Sequence, residues 1–372
     1  MNKAIPIAAA AAAVLAIAGL GWFLWPSPGP VPVEMAPKAG IAPPPVPAAE
    51  PPSSAQALQT GRAPQNAEAP AATPPAVTVP PVAAPATGDV APPRAAWPQE
   101  FRIETADEKH IRDHVAPASG PSLSVFRFAP NPRVIVLVFA SLREQGHMLN
   151  RAAAFVEKAG QPHDRVLNDA ELDAAVRAGG DTVETFYYGH DYGASGLARF
   201  FALADRDGIQ LLREEEALRR LIQQEKWFEP NVNGGLISIP QVGADSNITS
   251  QARAAILHHE LSHGEYFTNP AYTAFTRRFW TQTLTAAERE RIRRFLRALG
   301  YEPSIEHVME NEAQAYLMFT DSAEFFTPEM IGMTKPRLAE LRATFHRTMP
   351  AGWLRDDLGQ AIGTGGGPAK RP

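Results

Sequence analysis

The stretch HHELSHGEYF, His258 to Phe267, crowds three histidines and two glutamates into ten positions. His259 and His263 stand four residues apart. On a helix that spacing projects both imidazoles from one side, with the reach to chelate a single ion. Glu260 lies about 100° further round, near such an ion without being forced to bind it. Metal-assisted hydrolysis needs this set: two neutral imidazoles, an open position for water, and a carboxylate to take a proton. His258 has only Ser262 four residues on, so it reads as a bystander. The chain has no cysteine, so any transition-metal site must be built from histidine and carboxylate.

These residues need a helix to carry them, and the spacing predicts one beginning near Ser250, with Ala254, Ile256, Leu257 and Leu261 as its packed face. Upstream, SLSVFRF alternates and PRVIVLVFAS is a continuous apolar run, so both read as strands; LISIP is a third, ended by Pro240. Helical spacing recurs between and beyond them, including LLREEEALRRLIQQEKW and KPRLAELRATFHRTM. Thr285 with Glu288 forms a capping box, and Gly300 closes that helix. The pattern predicts an α+β domain, mostly helical with a small mixed sheet. FYYGHDYGAS is a tyrosine-rich segment among glycines. It suits either a loop lying on the core or a cleft wall in which Tyr188 or His190 supports a transition state.

From Leu236 to Thr320 the sequence resembles the HExxH zinc metallopeptidases, the zincins. The resemblance implies a Zn2+ cofactor, a peptide or protein substrate, His259 and His263 as ligands and Glu260 as general base. It also implies a cleft-lining edge strand before the helix, and LISIP stands in the matching place. The metzincin extension HExxHxxGxxH is absent. Glu306, His307, Glu310 and Glu312 lie downstream instead, and Asn311-Glu312 with small Ala313 and Ala315 looks like the glutamate-bearing helix of the gluzincins. That implies Glu312 as third ligand, with His307 and Glu306 as alternatives. Two positions depart from the pattern. Glu265 replaces a customary apolar residue, which suggests an exposed helix end, and Tyr316 stands where thermolysin-like enzymes carry an aspartate behind a ligand histidine. The segment between His263 and Glu312 is longer than in those enzymes and holds ERERIRRFLRALG.

The rest of the chain predicts the setting. One lysine, Lys3, precedes an uncharged apolar run from Ala4 to Trp25, long enough to span a bilayer and ending in interfacial tryptophans. Residues 1–25 read as an uncleaved signal anchor, or alternatively a cleaved export signal; either one exports the remainder of the chain. Residues 26–97 are a Pro/Ala-rich, disordered tether that cannot form a core. Residues 98–352 form the zincin-like domain and 353–372 a flexible, glycine-rich tail. The expected location is the cell membrane, single-pass, with the C-terminal domain on the periplasmic or extracellular side, or secretion if the anchor is removed. A formal net charge of −5 and balanced charge runs argue against a nucleic-acid partner. Two other functions suit this setting: a non-catalytic envelope binding or scaffold protein, and an amidase acting on cell-wall peptides.

Overall fold

The computed structural model describes residues 97–116 and 122–364. The apolar run 4–25 and nearly all of the Pro/Ala-rich stretch lie outside the described residues, as do residues 365–372. Among the described residues no helix is long and apolar enough to cross a membrane.

The domain is α+β, mostly helical around one five-stranded mixed sheet. Its strands are β1 (Ile103–Ala106), β2 (Leu123–Phe128), β3 (Val134–Phe139), β4 (His190–Gly193) and β5 (Gly235–Pro240), in the order β1-β2-β3-β5-β4. Pairing is parallel for β1–β2 and β3–β5 and antiparallel for β2–β3 and β5–β4. β3 reads VIVLVF because it is buried on both faces. Ile135, Leu137 and Phe139 point into one core, and Val134, Val136 and Val138 into another.

The first core is closed by α2 (Leu142–Val156), α3 (Asp169–Ala178), α4 (Ala194–Arg206) and α5 (Arg213–Gln224), which come after the short α1 (Glu108–Asp113). The opposite face packs on α6 (Ser250–Thr268), through Ile256, Leu257 and Leu261. α6 is buried on nearly all sides, so it shows no sharp apolar stripe. Gly264 lets it lie close to the sheet: a Cβ there would stand 2.8 Å from Val134 Cγ1. Beyond α6 lies a helical layer of α7 (Pro270–Arg278), α8 (Ala286–Ala298), α9 (Glu306–Gln314), α10 (Lys335–Thr348) and α11 (Trp353–Thr364). The capping box of Thr285 and Glu288 is present, and Gly300 stands after α8 at φ 96°.

Four expectations need correction. LISIP is not an edge strand: β5 pairs on both sides, and the edge is β4, within the segment read as a loop. A central strand buried on both faces is mostly apolar, as β5 is apart from Ser238 and as the short HDYG is not. Glu265 does not mark an exposed helix end. It is buried and accepts hydrogen bonds from Asn131, Asn269 and Trp353, each at 2.7 Å. The tail does not start at residue 353, because α11 buries Leu354 and Leu358 and its Asp357 pairs with His258 at 2.6 Å. At the other end Trp97 belongs to the first core rather than to the tether.

Candidate metal centre

Thr249 caps α6 by accepting from the Ala252 backbone N–H, and the helix runs unbroken through His259 and His263. α9 crosses it. Ala313 and Ala315 are small and buried at the approach, and Gln314 donates to Ser262 at 3.0 Å across the gap. Glu312 is thereby brought to the two imidazoles. The Nε2 atoms of His259 and His263 are 3.1 Å apart. Glu312 Oε2 lies 3.8 Å from the first and Oε1 3.7 Å from the second. Glu312 and His263 are 1% exposed or less, so water does not screen this cluster.

The outer nitrogens decide which protons are present. After α9 the chain makes a π-helical turn, Ala315–Phe319, whose end places Thr320 under His259. Thr320 Oγ1 donates to the Ala315 carbonyl at 3.0 Å, so it accepts from His259 Nδ1 at 2.8 Å. His263 Nδ1 faces Asp191 Oδ2 at 3.6 Å, and Asn311 holds that oxygen with a donated bond of 3.0 Å. Thr320 thus fixes the His259 proton on Nδ1, so His259 Nε2 presents a lone pair, whereas His263 Nδ1 is buried without a hydrogen-bond partner.

Without a cation, His263 can meet the His259 lone pair at 3.1 Å only by carrying its proton on Nε2, which strands its buried Nδ1; a cation bound by both Nε2 atoms would return that proton to the Asp191 side. Other atoms point to the same need. Glu312 Oε2 and Glu260 Oε2 are buried without a hydrogen-bond partner. Burial, reinforced by Asp191 and Glu157, pushes the Glu260 carboxyl well above its ordinary range. Glu312 is pushed the same way by burial and by Asp191, Glu157 and Glu260, against the opposing hydrogen bond of Tyr301. Burial, with His263 and His258 nearby, holds His259 far below the usual imidazole value. A neutral imidazole is the ligand form, and a divalent ion is the charge that would let these carboxylates ionise. The residues fit a metal: two imidazole nitrogens and one carboxylate oxygen lie within 4.8 Å of one another.

Glu260 is held beside the cluster by a close backbone approach. A Cβ at Gly189 would overlap its carboxylate, with Cδ at 2.8 Å. Both residues line a cavity of about 120 Å3 that also reaches His259, Tyr188 and Tyr316. The Tyr316 ring stands edge-on to His259 with centroids 4.7 Å apart, so it packs on the imidazole while Thr320 orients it. Tyr188 is on the cavity wall, its hydroxyl bonded towards Asn247. His190 is turned away, bonded to Gln145, Ser238 and Asn150 on the other face of the sheet. Glu306 pairs with Arg293, and Glu310 with Arg277 and Tyr266.

Sequence reasoning gave no role at the site to Asp191, Thr320, Asn311 or Gly189. Asp191 had a signal: next to His190 on a strand, it must face the opposite side. No protein-family model, curated protein or solved structure matches the chain, so the reading of this centre rests on its own geometry.

Proposed function

We propose that the domain is a zinc-dependent peptidase. His259, His263 and Glu312 would hold the metal, and Glu260 would act as general base. The observation that carries this reading is the buried His259–His263–Glu312 donor cluster with the unpartnered Glu260 carboxylate beside it. Zinc bound there would polarise the substrate carbonyl and acidify water. Glu260 then accepts the proton of the attacking water at its free Oε2 and delivers it to the leaving amine. With the metal bound, Asp191 and Thr320 would keep the imidazoles in the tautomer that presents Nε2. The exported, membrane-tethered setting belongs to the same reading and rests on the apolar run 4–25 and the proline-rich stretch after it.

The test is hydrolysis of a mixed peptide library by the zinc-loaded chain and by Glu260→Gln. The expected result is cleavage that falls about 10²- to 10⁴-fold in the variant while zinc stays bound. Stoichiometric zinc without Glu260-dependent hydrolysis would refute the peptidase and leave a metal-holding binding protein.

A further inference from the structure

A second group of buried carboxylates adjoins the metal centre and shares one residue with it. Glu157, Asp191 and Glu312 each bring an oxygen to within 4.8 Å of the others. They come from the end of α2, from β4 and from α9. They are 4%, 6% and 1% exposed, so water does not separate their charges. The backbone fixes Glu157 in place: its N–H donates to the Ala153 carbonyl at 3.0 Å, and its own carbonyl accepts from the Glu302 N–H at 2.7 Å. Asp191 commits Oδ2 to Asn311 and His263, which leaves its other oxygen for the group. A third grouping, Asp191 with Glu260 and His263, draws on the base and an imidazole of the zinc centre and so adds no separate site.

Charge decides what such a group needs. Together with Glu260, four carboxylates are buried here, and a divalent ion on His259, His263 and Glu312 would offset only two of their charges. The protein's own cations do not supply the rest. Among the described residues the ion-pair partners of Asp191 and Glu312 are the imidazoles of His259 and His263 alone, and Glu157 and Glu260 have none. Lys158, next to Glu157, turns its ammonium onto the rings of Phe186 and Tyr187, 4.0 and 4.6 Å from their centroids. Two buried polar atoms stand unpartnered at the group: Glu312 Oε2, and the Tyr187 hydroxyl, which feels the charges of Glu157 and Glu312. Buried like charges left without compensation are costly.

We propose that Glu157, Asp191 and Glu312 hold a second divalent cation, a hard one such as Mg2+ or Mn2+, so that Glu312 serves two ions. Donors that are all carboxylate oxygen suit these ions, whereas zinc takes the imidazoles next door. Three protein ligands leave positions for water, which such ions retain, and a bound water would give the Tyr187 hydroxyl a partner. Glu260 is then the one buried carboxylate in neither donor set, free to carry a proton. The proposal rests on the zinc of the peptidase reading only through the shared Glu312, and not on cleavage.

Binding tests it independently of turnover. The full chain, loaded with one equivalent of zinc, is titrated with Mn2+; bound Mn2+ is counted from the loss of the free-ion EPR signal, and zinc is counted in the same samples. One Mn2+ per chain should bind with the zinc retained. Glu157→Gln should weaken Mn2+ binding by more than the roughly 10- to 100-fold that losing an indirect partner of a metal costs, with zinc unchanged. Should that variant fail to fold, Glu157→Asp replaces it: withdrawing the carboxylate by one methylene should weaken Mn2+ binding at least about tenfold. Wild-type protein that takes up no Mn2+, takes it up only by displacing zinc, or binds it no more tightly than the Glu157 variants do would overturn the proposal. Glu157-dependent Mn2+ binding by a zinc-loaded chain that cleaves no peptide would support the second site and sink the peptidase; cleavage by a chain that holds zinc and takes up no Mn2+ would do the reverse.

Discussion

Strand β4 separates two buried histidine clusters that are satisfied in opposite ways. On one face His190 uses both ring nitrogens, Nδ1 with Ser238 at 2.9 Å and Gln145 at 3.2 Å, and Nε2 with Asn150 at 3.4 Å. On the other face, starting from the very next residue, Asp191 looks towards His263, and the inner nitrogens of His263 and His259 have only each other and Glu312. Gln145 Oε1 is the loose end of the first cluster, whereas two carboxylate oxygens and His263 Nδ1 are stranded in the second. Burial drives His190 down to about 3, and as a neutral ring its hydrogen bonds are complete. A cluster that closes its own hydrogen bonds is structural. One that strands a ring nitrogen and two carboxylate oxygens is one that a cation could complete.

The contrast can be broken most sharply by chelation. Removing metal should destabilise the wild-type domain by about 4 kcal/mol when free zinc had been about a thousandfold above its Kd. The thermal shift should vanish in Glu312→Gln and persist in His190→Gln. Next in size is Gly189→Ala. Its Cβ displaces the Glu260 carboxylate, so hydrolysis should fall about 100-fold with zinc still bound; a variant of normal activity would show that Glu260's position does not matter. Asp191→Asn weakens the hold on His263 and should cost about 10- to 100-fold in zinc affinity, measured by competition with a chromophoric chelator.

The smallest effect belongs to the structural face. The His190 folded-state pKa of about 3 lies below the roughly 6.5 of an unfolded histidine. Between those values the unfolded chain binds the extra proton, so stability rises with pH across that window and is fully present above it. In metal-free protein, His190 should contribute a loss of up to about 1.4 kcal/mol per pH unit in urea unfolding on acidification below about 6.5. His259, also held low, contributes a slope of the same sign, so His190→Gln should reduce the slope without abolishing it, and an unchanged slope would mean that His190 is not among the groups responsible.

Local spacing carried much of this into the sequence. His259, Glu260 and His263 sit on consecutive turns of one helix, so helical geometry alone aligns them. Glu312 was reachable through the resemblance of Asn311-Glu312, with small Ala313 and Ala315, to the glutamate-bearing helix of the gluzincins, and both alanines are buried. What stayed hidden depends on chain pairing. Asp191 precedes His263 by a long stretch of chain, and only the β4–β5 register turns it towards α6. Thr320 reaches His259 because a π-helical turn adds a residue to α9's last turn, which regular helical counting does not anticipate. Glu265 looked misplaced for an apolar position because its partners Asn131 and Trp353 come from β3's preceding turn and from α11.

The central claim is that His259, His263 and Glu312 hold one metal ion. Elemental analysis of freshly purified full-length chain, beside His263→Ala, tests it most directly. One zinc per wild-type chain and almost none in the variant is the predicted result, with His190→Gln unchanged. Wild-type protein that is folded yet carries no metal, and takes up none when zinc is supplied, would contradict it.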